Sequence, residues 1–445
     1  MKSVSSCLLA LSLSVSLLQA APTPPQGFTA LFNGKDLDNW RGGTTSDHRA
    51  LLELSAEERD AKIAKWTAEL GDHWTIQGDE LVNDGKGSYL STKQDYGDFE
   101  LHLEYKTVPK ADSGVYLRGV PQIQIWDTTW PDNGTLGRAK GSGALWNNPA
   151  GSPGKDPLVL ADKPLGEWNS LRVVMVGSRV SVWLNDQLTV DHAILHNFYD
   201  RGSKDPALKA NPRPVPKLGP IQLQTHGGEI RWRNVFIREI GGEEANKILA
   251  SHGETPEWKP LFNGKDLSGW AGPTDQYEVR DGGIFCLKGK GGTIYTSEEF
   301  SDFKVRTEIL IPPGANNGLA IRYPGKGDTA YVGMCELQVL DDASPSYAKL
   351  DPRQYHGSIY GIVAAHRGYQ RPAGEWNFQE VTVQGSRITV ELNGTVIVDA
   401  DVSQITEFMG NHPHPGMTRT EGSFGFAGHG HPVGFKQLRL LRLKP

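Results

Sequence analysis

The chain has 445 residues, with 46 Lys and Arg against 52 Asp and Glu, for a formal net charge of −6. This mild balance, without a basic run or stripe, argues against nucleic acid as a partner. The length suffices for two independent cores, and 52 glycines and 28 prolines fall between short alternating apolar runs, which points to strands joined by turns.

The first segment reads as an address, not as structure. Lys2 precedes an apolar stretch over residues 7–18, and small residues follow at Ala20 and Ala21. This is the pattern of a secretory signal peptide over residues 1–20, too short to span a membrane. Cys7 lies at the wrong end to be a lipid-attachment cysteine. The expectation is an exported protein, secreted or periplasmic, with residues 22–25 as a loose tail and no membrane span.

From residue 28 onward the chain says the same thing twice. FTALFNGKDLDNW (residues 28–40) returns as EWKPLFNGKDLSGW (residues 257–270), and GEWN occurs at 166–169 and at 374–377. Arg118 in SGVYLRG answers Arg322 in NGLAIRY, and His226 in LQTHGG answers His429 in FAGHGH. A shared order at nearly constant offset means two copies of one domain, each the size of a single sandwich. The first copy is assigned to residues 27–241, a linker to 242–256 and the second copy to 257–443. Residues 51–66 contain the capping-box form Ser55-Ala56-Glu57-Glu58 followed by good helix formers, so a short helical insertion is expected in the first copy only. Residues 243–252 read as a linker helix.

The remaining segments alternate as strands. DFELHLEY (98–105) and FKVRTEIL (303–310) are clear cases. Residues 171–184 and 378–392 each read as two strands with a turn. Asn393-Gly394 is a hairpin signal, and Asn185-Asp186 takes its place in the first copy. Two strands close each copy, at 221–240 and 423–443. The fold class expected is all-β, a β-sandwich in each copy. Cys286 and Cys335, the cysteines left after cleavage, either pair or stay as buried small hydrophobes.

On the strand 334–340, alternation sets Glu336 and Gln338 on one face and Leu337 and Val339 on the other. The matching strand sets Gln122, Gln124 and Trp126 against Ile123 and Ile125. The wet face is either a substrate groove or plain solvent exposure. The run 358–362 reads as a further strand. If these strands are neighbours, Arg322, Glu336, Asp341, His356 and Tyr360 converge, supplying a base, an acid and a cationic clamp. Each has a structural alternative. An Arg beside an Asp forms ion pairs in any fold, and His226 and His429 precede glycine-rich turns that a hydrogen bond would fix. Trp168 and Trp376 read as core aromatics. Trp126, Trp130 and Trp146 lie on less regular segments, where they stack on sugar or simply pack. His412–His414 and the tract 428–431 look like metal tracts, yet neither has a clean partner set and the first copy lacks both. There is no nucleophile elbow, P-loop or dinucleotide fingerprint.

Taken together, LFNGKDL, SGVYLR, ELQVLD (336–341), HGSIYG (356–361), GEWN and LQTHGG resemble the 3-keto-disaccharide hydrolase family, over nearly all of both copies. The resemblance implies two tandem concanavalin A-like lectin/glucanase sandwiches of jelly-roll type. It also implies an enzyme that cleaves glycosides already oxidised at C3, with an oligosaccharide or glycoside as partner. A ketone at C3 acidifies the C2 proton; a base removes it, the enolate expels the C1 substituent, and water adds back. The resemblance makes Glu336 or His356 the base and Arg322, or a bound divalent metal, the oxyanion stabiliser; no other cofactor is implied. Asp341, Gln338 and Tyr360 would meet substrate, as would Arg118, Gln124, Trp126, Asp127 and Trp146 in the first copy. The first copy departs from the pattern, with Gln122 for Glu336 and Trp146 for Tyr360. It either binds sugar without cleaving it or uses a different base, so catalysis is expected in the second copy. An ordinary glycosidase needs two carboxylates across the scissile bond, and neither 122–127 nor 336–341 supplies them on one strand. The alternative is a non-catalytic carbohydrate-binding protein with a lectin-like sandwich.

Overall fold

The computed structural model describes residues 23–444. The signal-peptide reading of residues 1–20 therefore lies outside the described residues. Each copy is a sandwich of one eight-stranded and one five-stranded antiparallel sheet, and the strand order is the same in both. In the second copy the five-stranded sheet runs Trp270–Ala271, Gly291–Phe300, Gly422–His429, Asn316–Tyr323, Cys335–Leu340. In the first it runs Trp40–Gly43, Tyr89–Thr92, Gln222–Leu223, Asp112–Leu117, Val120–Trp126.

The period-2 alternation explains why these segments are strands that pack on one face. Leu337 and Val339 are fully buried, as are Ile123 and Ile125 on the matching strand of the first copy. In the second core Phe426 stacks between Trp270, at 5.3 Å, and Phe435, at 3.8 Å. The hairpins over Asn185-Asp186 and Asn393-Gly394 close with positive φ at both turn residues, as a type I′ turn requires.

The helical insertion forms at Ala56–Ala68, with the Ser55–Glu58 capping box in place. It buries none of its own residues. It lies instead against the strand Trp40–Gly43, where Gly42 donates to Thr67 Oγ1 at 3.0 Å. The linker helix, Gly242–Ser251, buries Ala245 and Leu249 with Val176 and Ile240 of the first copy and Phe378 of the second. The turn at Gly177-Ser178 of the first copy interlocks with Asn393-Gly394 of the second: Ser178 N donates to Gly394 O at 2.9 Å. Arg179 also pairs with Glu391 across it.

Two expectations are corrected. Residues 358–362 form no strand, only single bridges from Ile359 to Leu337 and to Val363. Trp168 and Trp376 are half-buried rather than core. Lys106 and Arg233 stack over Trp168 at 4.5 and 4.1 Å, and Lys436 over Trp376 at 4.1 Å. Among the described residues no helix is long and apolar enough to cross a membrane.

Candidate active site

The five-stranded sheet of the second copy turns one row of polar side chains away from the core. Glu336 lies on the strand Cys335–Leu340, and its neighbour across the ladder is the strand Asn316–Tyr323. Gly318 makes room for it: a Cβ there would stand 2.1 Å from Glu336 Oε1. The carboxylate thus lies flat on the sheet and is only 5 % exposed. Asn317 pairs with Gly428, so on the same register His429 stands opposite Asn316. His429 Nε2 comes to 3.6 Å from Glu336 Oε1, with the imidazole side chain 48 % exposed.

Burial pushes the Glu336 carboxyl above its ordinary range, against the pull of His429. The contact with Glu336 in turn raises His429, against burial. An ion pair alone would lower the carboxyl. Burial prevails here because 3.6 Å exceeds a hydrogen bond and the imidazole stands half in water. Both members therefore bind a proton more tightly than they would alone, as suits a pair that exchanges one with a substrate.

Around this pair stand Gln338, Tyr360, Tyr331 and His414. Gln338 Nε2 donates to Asn316 Oδ1 at 2.6 Å. Tyr360 N donates to Glu336 O at 2.9 Å, and its hydroxyl accepts from Gln354 Nε2 at 3.2 Å. Burial raises the Tyr331 hydroxyl, and the neighbouring Tyr360, Asp328 and Glu336 raise it further. The His414 ring stacks on Tyr331 at 4.8 Å.

The other expected residues point elsewhere. Arg322 is 1 % exposed. Its guanidinium donates to the carbonyls of Ser301, Gly385 and Arg419 at 2.8–2.9 Å and to Asp302 at 2.9 Å. It ties these loops together from a buried position. Arg118 repeats the arrangement with Gly97, Pro216 and Asp98. Asp341 accepts from Gly314 N and Ala343 N, which holds a turn. Asp127 does likewise with Lys110 N and Thr129.

His356 is turned into the sandwich, 2 % exposed. Gly357 beside it has φ +78°, so the alternation assumed across 356–360 does not hold. Burial lowers its imidazole to about 4, partly opposed by Gln379 of the other sheet. It is a neutral core histidine, and its placement leaves Glu336 as the base candidate on this face. His429, for which the sequence left a turn-fixing bond and catalysis both open, is the residue that the geometry adds beside Glu336. Its signal was the recurrence of a histidine at that register position in both copies.

In the first copy Gln124 is buried on the matching face. Its Nε2 donates to Asp112 Oδ1 at 2.8 Å. Trp126 and Trp146 meet edge-to-face at 6.0 Å. Their indole N–H groups donate to the carbonyls of Gly141 and Leu136.

Cys286 and Cys335 are both free and buried. Among the described residues no group of three or more His, Cys, Asp or Glu side chains assembles as a metal-ligand set. A cleft of about 930 Å³ between the copies is lined by Arg179, Arg213, Glu391 and Arg387. These charges are already paired with one another or with Asp200 and Asp399, and the cleft does not include Glu336.

Two antiparallel sheets packed face to face in each copy define a lectin-like β-sandwich. The chain belongs to the 3-keto-alpha-glucoside-1,2-lyase-like domain family, whose model matches residues 27–238 and again 257–441. It is similar to a 3-keto-disaccharide hydrolase of Bacteroides thetaiotaomicron, 22% identical over 253 residues, which cover 49% of this chain and 80% of that protein. Among solved structures it is similar to a candidate glycosyl hydrolase from Parabacteroides distasonis ATCC 8503, at 25% identity and a TM-score of 0.39, covering 42% of this chain and 99% of the other. It is also similar to a carbohydrate-binding module, CBM66, from Bacillus subtilis, at 16% identity and a TM-score of 0.27, covering 38% and 93%.

Proposed function

We propose that the second copy, residues 257–443, cleaves 3-keto-glycosides by elimination followed by hydration. The observation that carries this reading is the buried Glu336 carboxylate beside a half-exposed His429, on an outward sheet face of a chain from the lyase-like family.

Glu336 takes the proton from C2 of the 3-keto sugar. Its burial raises its proton affinity, so it is a stronger base than a surface glutamate. The electron pair of that bond moves to an enolate whose charge rests on the C3 oxygen. His429, in its imidazolium form, faces that developing charge and replaces Arg322 in the role first expected of the arginine. The C1–O bond then breaks with its electrons on the leaving oxygen, which receives a proton. Water adds across the new double bond to give the free 3-keto sugar. Gln338, braced by Asn316, and Tyr360, braced by Gln354, are placed to orient hydroxyls.

The first copy is assigned to residues 27–241. The apolar segment over residues 7–18 supports export to the periplasm or medium, which N-terminal sequencing of the mature protein checks. The function is tested with a chromogenic 3-keto-glucoside and its unoxidised parent. The wild type is expected to release the leaving group from the keto form alone. Glu336→Gln is expected to lose at least about 100-fold in turnover with an unchanged fold. Equal release from both sugars, or full activity in Glu336→Gln, defeats the reading.

A further inference from the structure

We propose that the first copy is a second, differently built reaction centre for the same substrate class, with His226 as its base, Asp112 as a positioning residue and Arg138 as the donor to the enolate oxygen. This rests on the function proposed for the second copy.

The two copies trade a carboxylate. Asp112 bridges His226 across the sheet, and the position equivalent to Asp112 in the second copy is Asn316, opposite His429. Conversely Gln122 lies over Gly114 as Glu336 lies over Gly318. The first copy thus has its acid on the strand Asp112–Leu117 and an amide on Val120–Trp126; the second has the reverse. In both, the acid reaches the histidine at the same place in the sheet.

The trade changes which ring nitrogen is held. In the second copy Nε2 of His429 faces the acid. In the first, Nδ1 of His226 lies 3.3 Å from Asp112 Oδ2. Asp112 Oδ1 is itself fixed by Gln124 Nε2 at 2.8 Å. A carboxylate on Nδ1 sets the proton there and leaves Nε2 with its lone pair free. No described residue bonds to Nε2, and the side chain is 63 % exposed. Asp112 also raises the imidazole's proton affinity, which strengthens it as a base. The geometry is that of a carboxylate-oriented general base.

Arg138 is the independent observation. It is 8 % exposed, and its Nε is buried with no hydrogen-bond partner. Its nearest acid, Asp112, is 3.9 Å from Nη2, beyond a hydrogen bond. The guanidinium is held over Trp130 at 4.0 Å, with Trp126 at 6.0 Å. A buried guanidinium with an unfilled donor is unfavourable by itself. It becomes favourable when an anionic oxygen arrives, and the enolate oxygen on C3 is such a group. Trp130, half-buried beside it, suits the apolar face of a pyranose ring, while Trp126 is buried beneath.

The step balances as follows. His226 Nε2 takes the C2 proton, and the C–H electron pair forms the enolate, with its charge on O3 beside Arg138. The C1–O bond breaks with its electrons on the leaving oxygen, which takes the proton from His226. Water then adds to C1 and C2, so the net change is substrate plus water giving 3-keto sugar plus alcohol.

The test uses the full chain and 4-nitrophenyl 3-keto-α-glucoside, with Glu336→Gln, His226→Gln and the double variant. Glu336→Gln is expected to keep residual release, and the double variant to fall about 100-fold or more below it. In the Glu336→Gln background the residual rate rises with pH through the titration of His226. Adding Asp112→Asn shifts that rise to lower pH, because the carboxylate that raises the imidazole is gone; a merely structural role would leave the rise in place. Arg138→Gln in that background lowers the rate about 100-fold. His226 is an exposed side chain, so its variant spares the core, and thermal melts check this. If the residual rate of Glu336→Gln equals that of the double variant, this proposal alone is overturned. If the wild type cleaves no 3-keto-glucoside, the reading beneath it falls as well.

Discussion

Arg322→Ala separates a structural arginine from a catalytic one. The side chain makes four hydrogen bonds to oxygen, on the Ser301, Gly385 and Arg419 carbonyls and on Asp302, with Met334 Sδ as a further acceptor, and is 1 % exposed. Alanine leaves three carbonyls and a carboxylate without their cation and opens a cavity that water fills in part. Summing each charged hydrogen bond at its full value overstates the loss, because the bonds share one group. Breaking a buried pair typically costs about 3–5 kcal/mol. For a domain of this size each kcal/mol moves the melting temperature by about 2–4 °C. The transition of the second copy is therefore expected to fall by roughly 6–20 °C. Differential scanning calorimetry reads it, with Arg118→Ala as the matching perturbation of the first copy. Turnover per folded molecule, measured well below the transition, should stay within a few-fold of wild type. An unchanged melt with turnover lowered about 100–1000-fold, the loss typical of a missing oxyanion donor, would refute the reasoning and return Arg322 to the site.

Other outcomes follow from the same geometry. Turnover by the second copy should rise with pH through an apparent pKa above the ordinary glutamate value, since burial raises Glu336 and the base acts ionised; a flat profile above pH about 4.5 would contradict this. The sign for stability is opposite. A carboxyl raised in the folded state contributes most below its unfolded pKa, and that contribution is lost as pH rises through the folded value. Glu336→Gln should therefore melt higher than wild type at neutral pH and alike near pH about 4, read by thermal melts at the two pH values. Gly394→Ala puts a Cβ 2.5 Å from Val176 O at a φ of +78°, so it should loosen the junction and speed limited proteolysis in the linker; an unchanged digestion rate argues against interlocked turns. Reductant should leave both melting transitions where they are, because Cys286 and Cys335 are free thiols.

Much of this was legible in one dimension. The repeat of LFNGKDL, GEWN and the Arg and His positions announced two copies, and alternation in segments such as 303–310 announced strands, because a sheet with one buried face imposes period 2 on its sequence. The faces of Glu336 and Gln338 followed from the same rule. Where the backbone leaves regular geometry the rule lapses. Residues 356–360 turn at Gly357, so His356 went inward. Arg322 sits at a positive φ of 47°, past the ladder's regular register, and its side chain leaves the polar face, which is itself buried at Glu336 and Gln338. Trp376 read as core only because an indole is large and apolar, while Lys436 covers it from outside.

Two sandwich copies, the all-β class and the face of the polar row are written in local periodicity and internal repetition. Which acid meets which histidine is a matter of how the strands assemble. Glu336 and His429 are 93 positions apart, Asp112 and His226 are 114 apart, and each pair meets across strands that are not adjacent in the chain. Ladder register and a glycine without a side chain bring them together, and neither leaves a local mark on the residues themselves.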